Sequence, residues 1–121
     1  MTLRVMFDSN AYDAILKNGD SERIKAAHLE VIRTDAQEDE IAQIRDGFKR
    51  NQLMSLFMMG QPVVAPGMPW NASRDLIIGT TAAMYADILV TDDRQLIVQL
   101  AKTAPALRVL TYEDFRTEFL T

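Results

Sequence analysis

The sequence predicts an α/β protein, a three-layer α/β/α sandwich built around a central, mostly parallel sheet of five strands. Short apolar segments rich in β-branched residues alternate with segments of helical periodicity along the chain. Strands separated in this way pair in parallel, and their connecting helices cover both faces of the sheet. The chain has 121 residues, of which 48% are hydrophobic, so we expect one domain spanning residues 1–121.

The strands are predicted from apolar runs that stop at turn residues or acids. The first run places Leu3, Val5 and Phe7 on one face and stops at Asp8. The remaining strands are expected at residues 29–33, 61–65, 88–90 and 107–110.

Helices fill the intervals, and their ends carry recognisable signals. Gly19 suits the end of the first helix, Thr34 and Gln37 form a capping-box pattern, and Asn71 or Ser73 caps the helix that contains Asp75. The other helices are expected near residues 11–17, 21–27, 34–45, 48–59, 92–102 and 112–119, and a proline-rich loop runs through residues 66–70.

Composition limits the functions that are open to the chain. Its net charge of -4 will not attract phosphate backbones overall, so any nucleic-acid binding must be local or metal-assisted. The absence of cysteine excludes disulfides and zinc–thiolate sites. The start of the chain turns acidic too soon for a signal peptide, and no apolar run approaches the ~18 residues of a membrane span. We therefore expect a cytoplasmic protein that does not enter membranes.

Acidic residues follow several of the predicted strands. Ligands of open α/β sheets bind beyond the carboxyl ends of the strands, so acids at these ends should meet at one edge. Such carboxylates repel one another unless a cation compensates them, and Mg²⁺ or Mn²⁺ prefers oxygen ligands. A metal held there could activate water and clamp a phosphoryl oxygen, which is the chemistry of phosphodiester hydrolysis. The acids concerned are Asp8, the group Glu38, Asp39 and Glu40, Asp75, and the pair Asp92 and Asp93.

Asp75 begins a helix with a stripe of small residues. Gly79, Ala82 and Ala86 follow it at helical spacing, and small residues let a helix approach a sheet closely. We therefore expect a buried stripe, with the Asp75 carboxylate facing inward, where an unpaired charge would be costly.

Four segments together resemble the PIN-domain ribonuclease family, and the resemblance runs from Val5 to Leu96. The segments are Phe7–Asn10, Gln37–Ile41, Asp75–Ala82 and Leu89–Arg94. The resemblance implies a PIN-like fold with an acidic pocket, dependence on Mg²⁺ or Mn²⁺, and endoribonuclease activity on single-stranded or structured RNA.

The resemblance also implies roles for individual residues. Asp8, Asp75 and Asp93 match the metal-binding acids of the family, and Asn10 and Thr91 match polar residues beside its site. Helical spacing leaves both Glu38 and Glu40 open as the remaining acid, and the family pattern favours Glu40. The resemblance thus implies Asp8, Glu40, Asp75 and Asp93 as the catalytic and metal-binding set.

Other interpretations compete with the nuclease. Acids near helix starts stabilise the helix dipole by roughly 0.3–1 kcal/mol, which would suffice for any one of them. A non-catalytic PIN-like interaction module is the first alternative. A haloacid-dehalogenase-type phosphatase ranks last, because its Asp-x-Asp motif would need an acid where Asn10 stands.

The apolar run Leu53–Met59 is broader than one sheet usually covers. Core packing is its default use, and a groove for a homodimer partner or an inhibitory helix is the rival. Small single-domain members of the resembled family are often toxins of toxin–antitoxin pairs. An RNA substrate and an antitoxin protein are therefore the expected partners.

Overall fold

The computed structural model describes residues 2–64 and 73–120. Within them, five strands form one sheet in the order β3-β2-β1-β4-β5, and all neighbouring strands run parallel. The predicted α/β/α class is confirmed. The strands are β1 Arg4–Phe7, β2 Glu30–Arg33, β3 Gln61–Pro62, β4 Ile88–Val90 and β5 Arg108–Leu110.

The helices of the described residues alternate with these strands, as expected. They are α1 Ser9–Asn18, α2 Ser21–Ala26, α3 Asp35–Ala42, α4 Gly47–Phe57, α5 Arg74–Tyr85, α6 Arg94–Thr103 and α7 Tyr112–Phe119. None of the helices in this part of the chain is long and apolar enough to cross a membrane.

Alternating side chains of β1 create two cores, one on each face of the sheet. Phe7 packs edge-to-face against Tyr12 of α1 and Phe115 of α7, with ring centroids 5.7 and 5.2 Å apart. Met6 points to the other face and packs with residues of α5 and α6, including Ile78 and Leu96. Because both faces are covered, the sheet is the middle of three layers.

Several predicted helix signals are present. Gly19 ends α1 with a positive φ of 66°, which glycine adopts without strain. The Gln37 side chain accepts a hydrogen bond from the Thr34 N–H, and the Ser73 hydroxyl accepts one from the Leu76 N–H. The alternative cap Asn71 and the predicted proline-rich loop lie outside the described residues.

Two elements end three residues before their predicted limits. Helix α3 ends at Ala42 rather than Arg45, because the next carboxylate, Asp46, caps α4 by accepting from the Phe48 and Lys49 N–H groups. Strand β3 is an edge strand of two residues, and Val64 is exposed. The predicted end of this strand at residue 65 lies outside the described residues.

The apolar run at the end of α4 divides between core and surface. Leu53, Leu56 and Phe57 are buried, as the default interpretation predicts. Met58 and Met59 remain about half exposed.

Candidate active site

The carboxyl ends of β1 and β4 lie side by side at the point in the sheet where the strand order reverses. From β1 the chain moves outward to β2 and β3, and it then crosses to β4 on the other side of β1. The Asp8 N–H donates to the Val90 carbonyl at 2.9 Å, which joins the two strand ends. Crevices at such switch points are the usual ligand sites of open parallel sheets.

Asp8 lies where these two strand ends are joined and is buried, with 6% of its surface exposed. Its Oδ1 accepts from the Ser9 N–H and its Oδ2 from the Thr91 hydroxyl, each at 2.8 Å. Burial raises the pKa of Asp8 above its ordinary value, the two hydrogen bonds lower it, and the charges of Asp75 and Glu40 raise it again. The net direction is upward, so the ionised carboxylate is held at a cost.

Thr91 links Asp8 to the acid that follows β4. Its hydroxyl oxygen donates to Asp8 and accepts from the Asp93 N–H at 3.1 Å. Asp93 in turn caps α6, because its Oδ1 accepts from the N–H groups of Gln95 and Leu96. These bonds fix the backbone that presents Asp93 beside the crevice.

Glu40 reaches the crevice from α3. Its Oε2 accepts from the Ser9 hydroxyl at 2.9 Å, and its charge contributes to raising the pKa values of both Asp8 and Asp75. Glu38, the alternative that spacing left open, does not figure among the charges that act on these two aspartates. The geometry therefore favours Glu40.

Asp75 lies at the start of α5, and the prediction that it is buried on an inward stripe is wrong. It is exposed, whereas Gly79 and Ala82 are buried. A Cβ on Gly79 would stand 3.0 Å from Leu100 Cδ2, so this part of the stripe faces α6 rather than the sheet. Periodicity identified a shared face, which approaches α6 at Gly79 and joins the core cluster of the sheet residues Met6 and Leu89 at Ala82. Neither of these contacts covers Asp75 in the first turn of α5.

Asp75 is nevertheless coupled to the other acids. Residual burial raises its pKa, and the negative charges of Asp93 and Glu40 raise it further. Asp92 is turned away, since its Oδ1 accepts from the Tyr112 N–H at 3.0 Å. Of the two adjacent aspartates, the coupling to Asp75 therefore selects Asp93.

Two residues at the crevice had no predicted role. Ser9 ties Glu40 to the end of β1, and a hydroxyl directly after the strand-ending acid was its only sequence signal. Gln37 is fully buried and donates from Nε2 to the Phe7 carbonyl, which fixes the residue before Asp8. Its contact spans 30 residues, so the capping-box pattern alone could not reveal it. Asn10, the predicted polar neighbour, is exposed at the edge of the crevice.

The crevice has the donor chemistry of a magnesium or manganese site. Its carboxylate oxygens are hard ligands, and the acids raise one another's pKa values, which is the repulsion that a divalent cation relieves. Within residues 2–64 and 73–120, however, no three acids or histidines are close enough together to hold a metal as they stand. The carboxylate oxygens are the type of donor that such an ion prefers, but the described acids are not grouped to bind one in this arrangement.

No protein-family model and no curated protein sequence matches this chain.

Proposed function

We propose that this protein is a metal-dependent endoribonuclease of the PIN-domain type, which hydrolyses RNA phosphodiester bonds at the crevice between β1 and β4. The observation that carries the proposal is the electrostatic coupling within a set of four acids: the charges of Asp75 and Glu40 raise the pKa of Asp8, and those of Asp93 and Glu40 raise the pKa of Asp75. These acids lie on or cap four different helices, although no three of the described acids are grouped closely enough to hold a metal as they stand. Stabilisation of helix starts explains Asp93, part of Asp8 and the first-turn position of Asp75, but it does not explain why Glu40, which lies beyond the first turn of α3, joins them.

In this proposal the acids have different tasks. Asp8 and Asp93 are fixed by Thr91, and they would form the rigid part of the ligand set together with the more exposed Asp75. Glu40, which is held by the Ser9 hydroxyl, would complete the set or orient the attacking water. A Mg²⁺ or Mn²⁺ ion bound there would lower the pKa of water and neutralise charge on the phosphoryl oxygens. By donating to Asp8 Oδ2, the Thr91 hydroxyl would hold the Asp8 carboxylate in one orientation, as partners of metal-binding side chains do.

Two matched pairs of acids test the proposal, each with one proposed metal ligand and one acid outside the proposed set: Asp8 with Asp92, and Glu40 with Glu38. Asp8→Asn and Glu40→Gln should abolish cleavage of a fluorophore–quencher RNA in Mg²⁺ or Mn²⁺, while far-ultraviolet circular dichroism stays unchanged. Asp92→Asn and Glu38→Gln remove the same charge next to the site and should retain cleavage. Full activity of Asp8→Asn would refute the proposal, and so would equal losses within both pairs.

A second candidate is a non-catalytic module that keeps this fold for protein binding. The absence of a ready-made group of three metal ligands within the described residues favours it. The two candidates differ in their response to Mn²⁺. A metal-binding enzyme gains stability as RT ln(1 + [L]/Kd), about 2.7 kcal/mol at a hundredfold excess over Kd, whereas the module gains none. Hydrolysis of p-nitrophenyl phosphate without any cleavage of RNA would instead indicate the phosphatase.

The proposal extends to partners and location. A small ribonuclease of this type would act in the cytoplasm, and an antitoxin protein would hold it inactive. The half-exposed Met58 and Met59 beside buried Leu56 give such a partner, or a second copy of the chain, an apolar surface to cover. Co-purification of the chain with the product of its neighbouring coding sequence tests the antitoxin, and sedimentation of the isolated chain tests the homodimer.

A further inference from the structure

A second cleft adjoins the acidic crevice and lies between α1, α3 and α4. Ser9 and Glu40 belong to both, so the cleft continues the crevice rather than forming a separate site. Its volume is about 210 Å³. Its remaining lining residues are Asn10, Asp13, Ile41, Ile44, Lys49 and Leu53.

The lining of this cleft combines three kinds of surface. Asn10 and Asp13 lie one helical turn apart on α1 and present polar groups along one wall. Ile41 of α3 and Leu53 of α4 are buried, so the accessible apolar part of the cleft is Ile44, which lies in the connection between these helices and is partly buried. Lys49 of α4 supplies its cation. A nucleotide needs the same three features: a hydrogen-bonding wall, an apolar surface for the ribose or base, and a positive group for the phosphate.

Lys49 is held at the cleft by a weak ion pair. Its Nζ lies 2.9 Å from Asp13 Oδ1, and the two side chains are 47% and 52% exposed. Exposed pairs of this kind contribute little to stability, so folding alone gives a poor reason for placing a lysine among these acids. A phosphate can displace the Asp13 carboxylate at small cost, because the ammonium group exchanges one anionic partner for another.

We infer that this cleft binds the RNA strand next to the scissile phosphate, with Lys49 as the phosphate-binding residue and Asp13 as the anion that occupies it when RNA is absent. The inference rests on the proposed ribonuclease function. The net charge of -4 repels a polyanion, so RNA binding at the acidic crevice would depend on a local cation such as Lys49. Continuity supports the inference, because a strand cut beside Glu40 must leave the crevice along a neighbouring surface.

Binding can be measured without catalysis. In the Asp8→Asn background and without divalent metal, the probe is a fluorescein-labelled, mixed-sequence single-stranded RNA followed by anisotropy. Lys49→Gln should weaken binding on the order of five- to tenfold and reduce the slope of log K against log salt by about 0.7. Asp13→Asn should have the opposite effect and strengthen binding, because it frees Lys49 and removes a repelling charge.

Lys25 and Glu22 provide a matched control pair. Lys25 is 48% exposed, and its Nζ lies 3.1 Å from Glu22 Oε1. It lines a different cavity, together with Ile15 and Leu29. Lys25→Gln and Glu22→Gln should leave both affinity and salt slope unchanged. If Lys49→Gln behaves like Lys25→Gln, or if Asp13→Asn weakens binding as Lys49→Gln does, the inference is wrong.

Kinetics of RNA cleavage distinguish an error in the cleft assignment from an error in the proposed ribonuclease function. Wild-type cleavage of RNA together with a Lys49→Gln variant of unchanged KM would overturn the cleft assignment and leave the ribonuclease standing. Absence of cleavage by the wild type in Mg²⁺ and Mn²⁺ would overturn the function itself. An increase in KM with unchanged kcat for Lys49→Gln would support both.

Discussion

Replacing Thr91 with valine tests whether the hydroxyl between Asp8 and Asp93 organises the crevice. Thr91 is fully buried, and valine keeps its shape while it removes the hydroxyl. The variant loses the hydrogen bond to the ionised Asp8 carboxylate, which contributes about 1.5–3 kcal/mol. It also removes the acceptor of the Asp93 N–H, and the loss of that hydrogen bond costs about 1 kcal/mol. We expect the free energy of unfolding to fall by about 3 kcal/mol, which corresponds to a loss of roughly 10 °C in Tm.

Urea unfolding at neutral pH measures this change, and Thr81→Val is its control. Thr81 is equally buried, but its hydroxyl donates only to the Ile77 carbonyl one turn back in α5. That carbonyl keeps its helical hydrogen bond, so Thr81→Val should cost less than about 1 kcal/mol. The Thr91 bond also lowers the pKa of Asp8, so the acid limb of the cleavage pH profile should move to higher pH in Thr91→Val. Equal stabilities of the two variants and an unmoved acid limb would refute the role given to Thr91.

Three further predictions concern charge. Asp20 is fully buried, accepts from the Tyr112 hydroxyl and lies 2.9 Å from Arg116, so Asp20→Asn should cost about 2 kcal/mol in urea unfolding without shifting the pH profile of cleavage. An equally stable variant would contradict this. Burial raises the folded-state pKa of Asp8 above the ordinary aspartate value of 3.8. The contribution of Asp8 to folding stability is therefore fully present below pH 3.8 and is lost as the pH rises through the folded-state pKa. Without metal, the free energy of unfolding should therefore fall more steeply between about pH 4 and about pH 8 in the wild type than in Asp8→Asn, as urea titrations measure. Parallel curves for the two proteins would contradict this prediction. Mn²⁺ should raise the Tm of the wild type but not of Asp8→Asn, and equal shifts would show that the ion binds elsewhere.

The sequence predicts the fold well because its signals are local. Strand β4, Ile88–Val90, and helix α7, Tyr112–Phe119, have the predicted limits, since β4 lies between the polar residues Asp87 and Thr91 and α7 begins at the cap Thr111. The end of α3 depends on Asp46, which caps the next helix, and the short length of β3 depends on its position at the edge of the sheet. These are tertiary effects that a pattern within one segment does not contain.

The candidate site is only partly predictable for the same reason. Acids at strand ends could be assigned to one edge, because parallel strands place all their carboxyl ends there. The exposure of Asp75 could not be predicted, because periodicity groups residues on one face of a helix without identifying which element covers that face. The contacts of Gln37 with Phe7 and of Ser9 with Glu40 join residues about 30 positions apart, so only the folded chain reveals them.

The most direct test of the proposed metal site is the position of a divalent ion in a crystal of the wild-type protein soaked in Mn²⁺. We expect an anomalous difference peak among the carboxylates of Asp8, Glu40, Asp75 and Asp93, and no peak there in a crystal of Asp8→Asn. A fully soaked wild-type crystal with no peak at these carboxylates, or with its peak at a different surface, would contradict the proposed metal site.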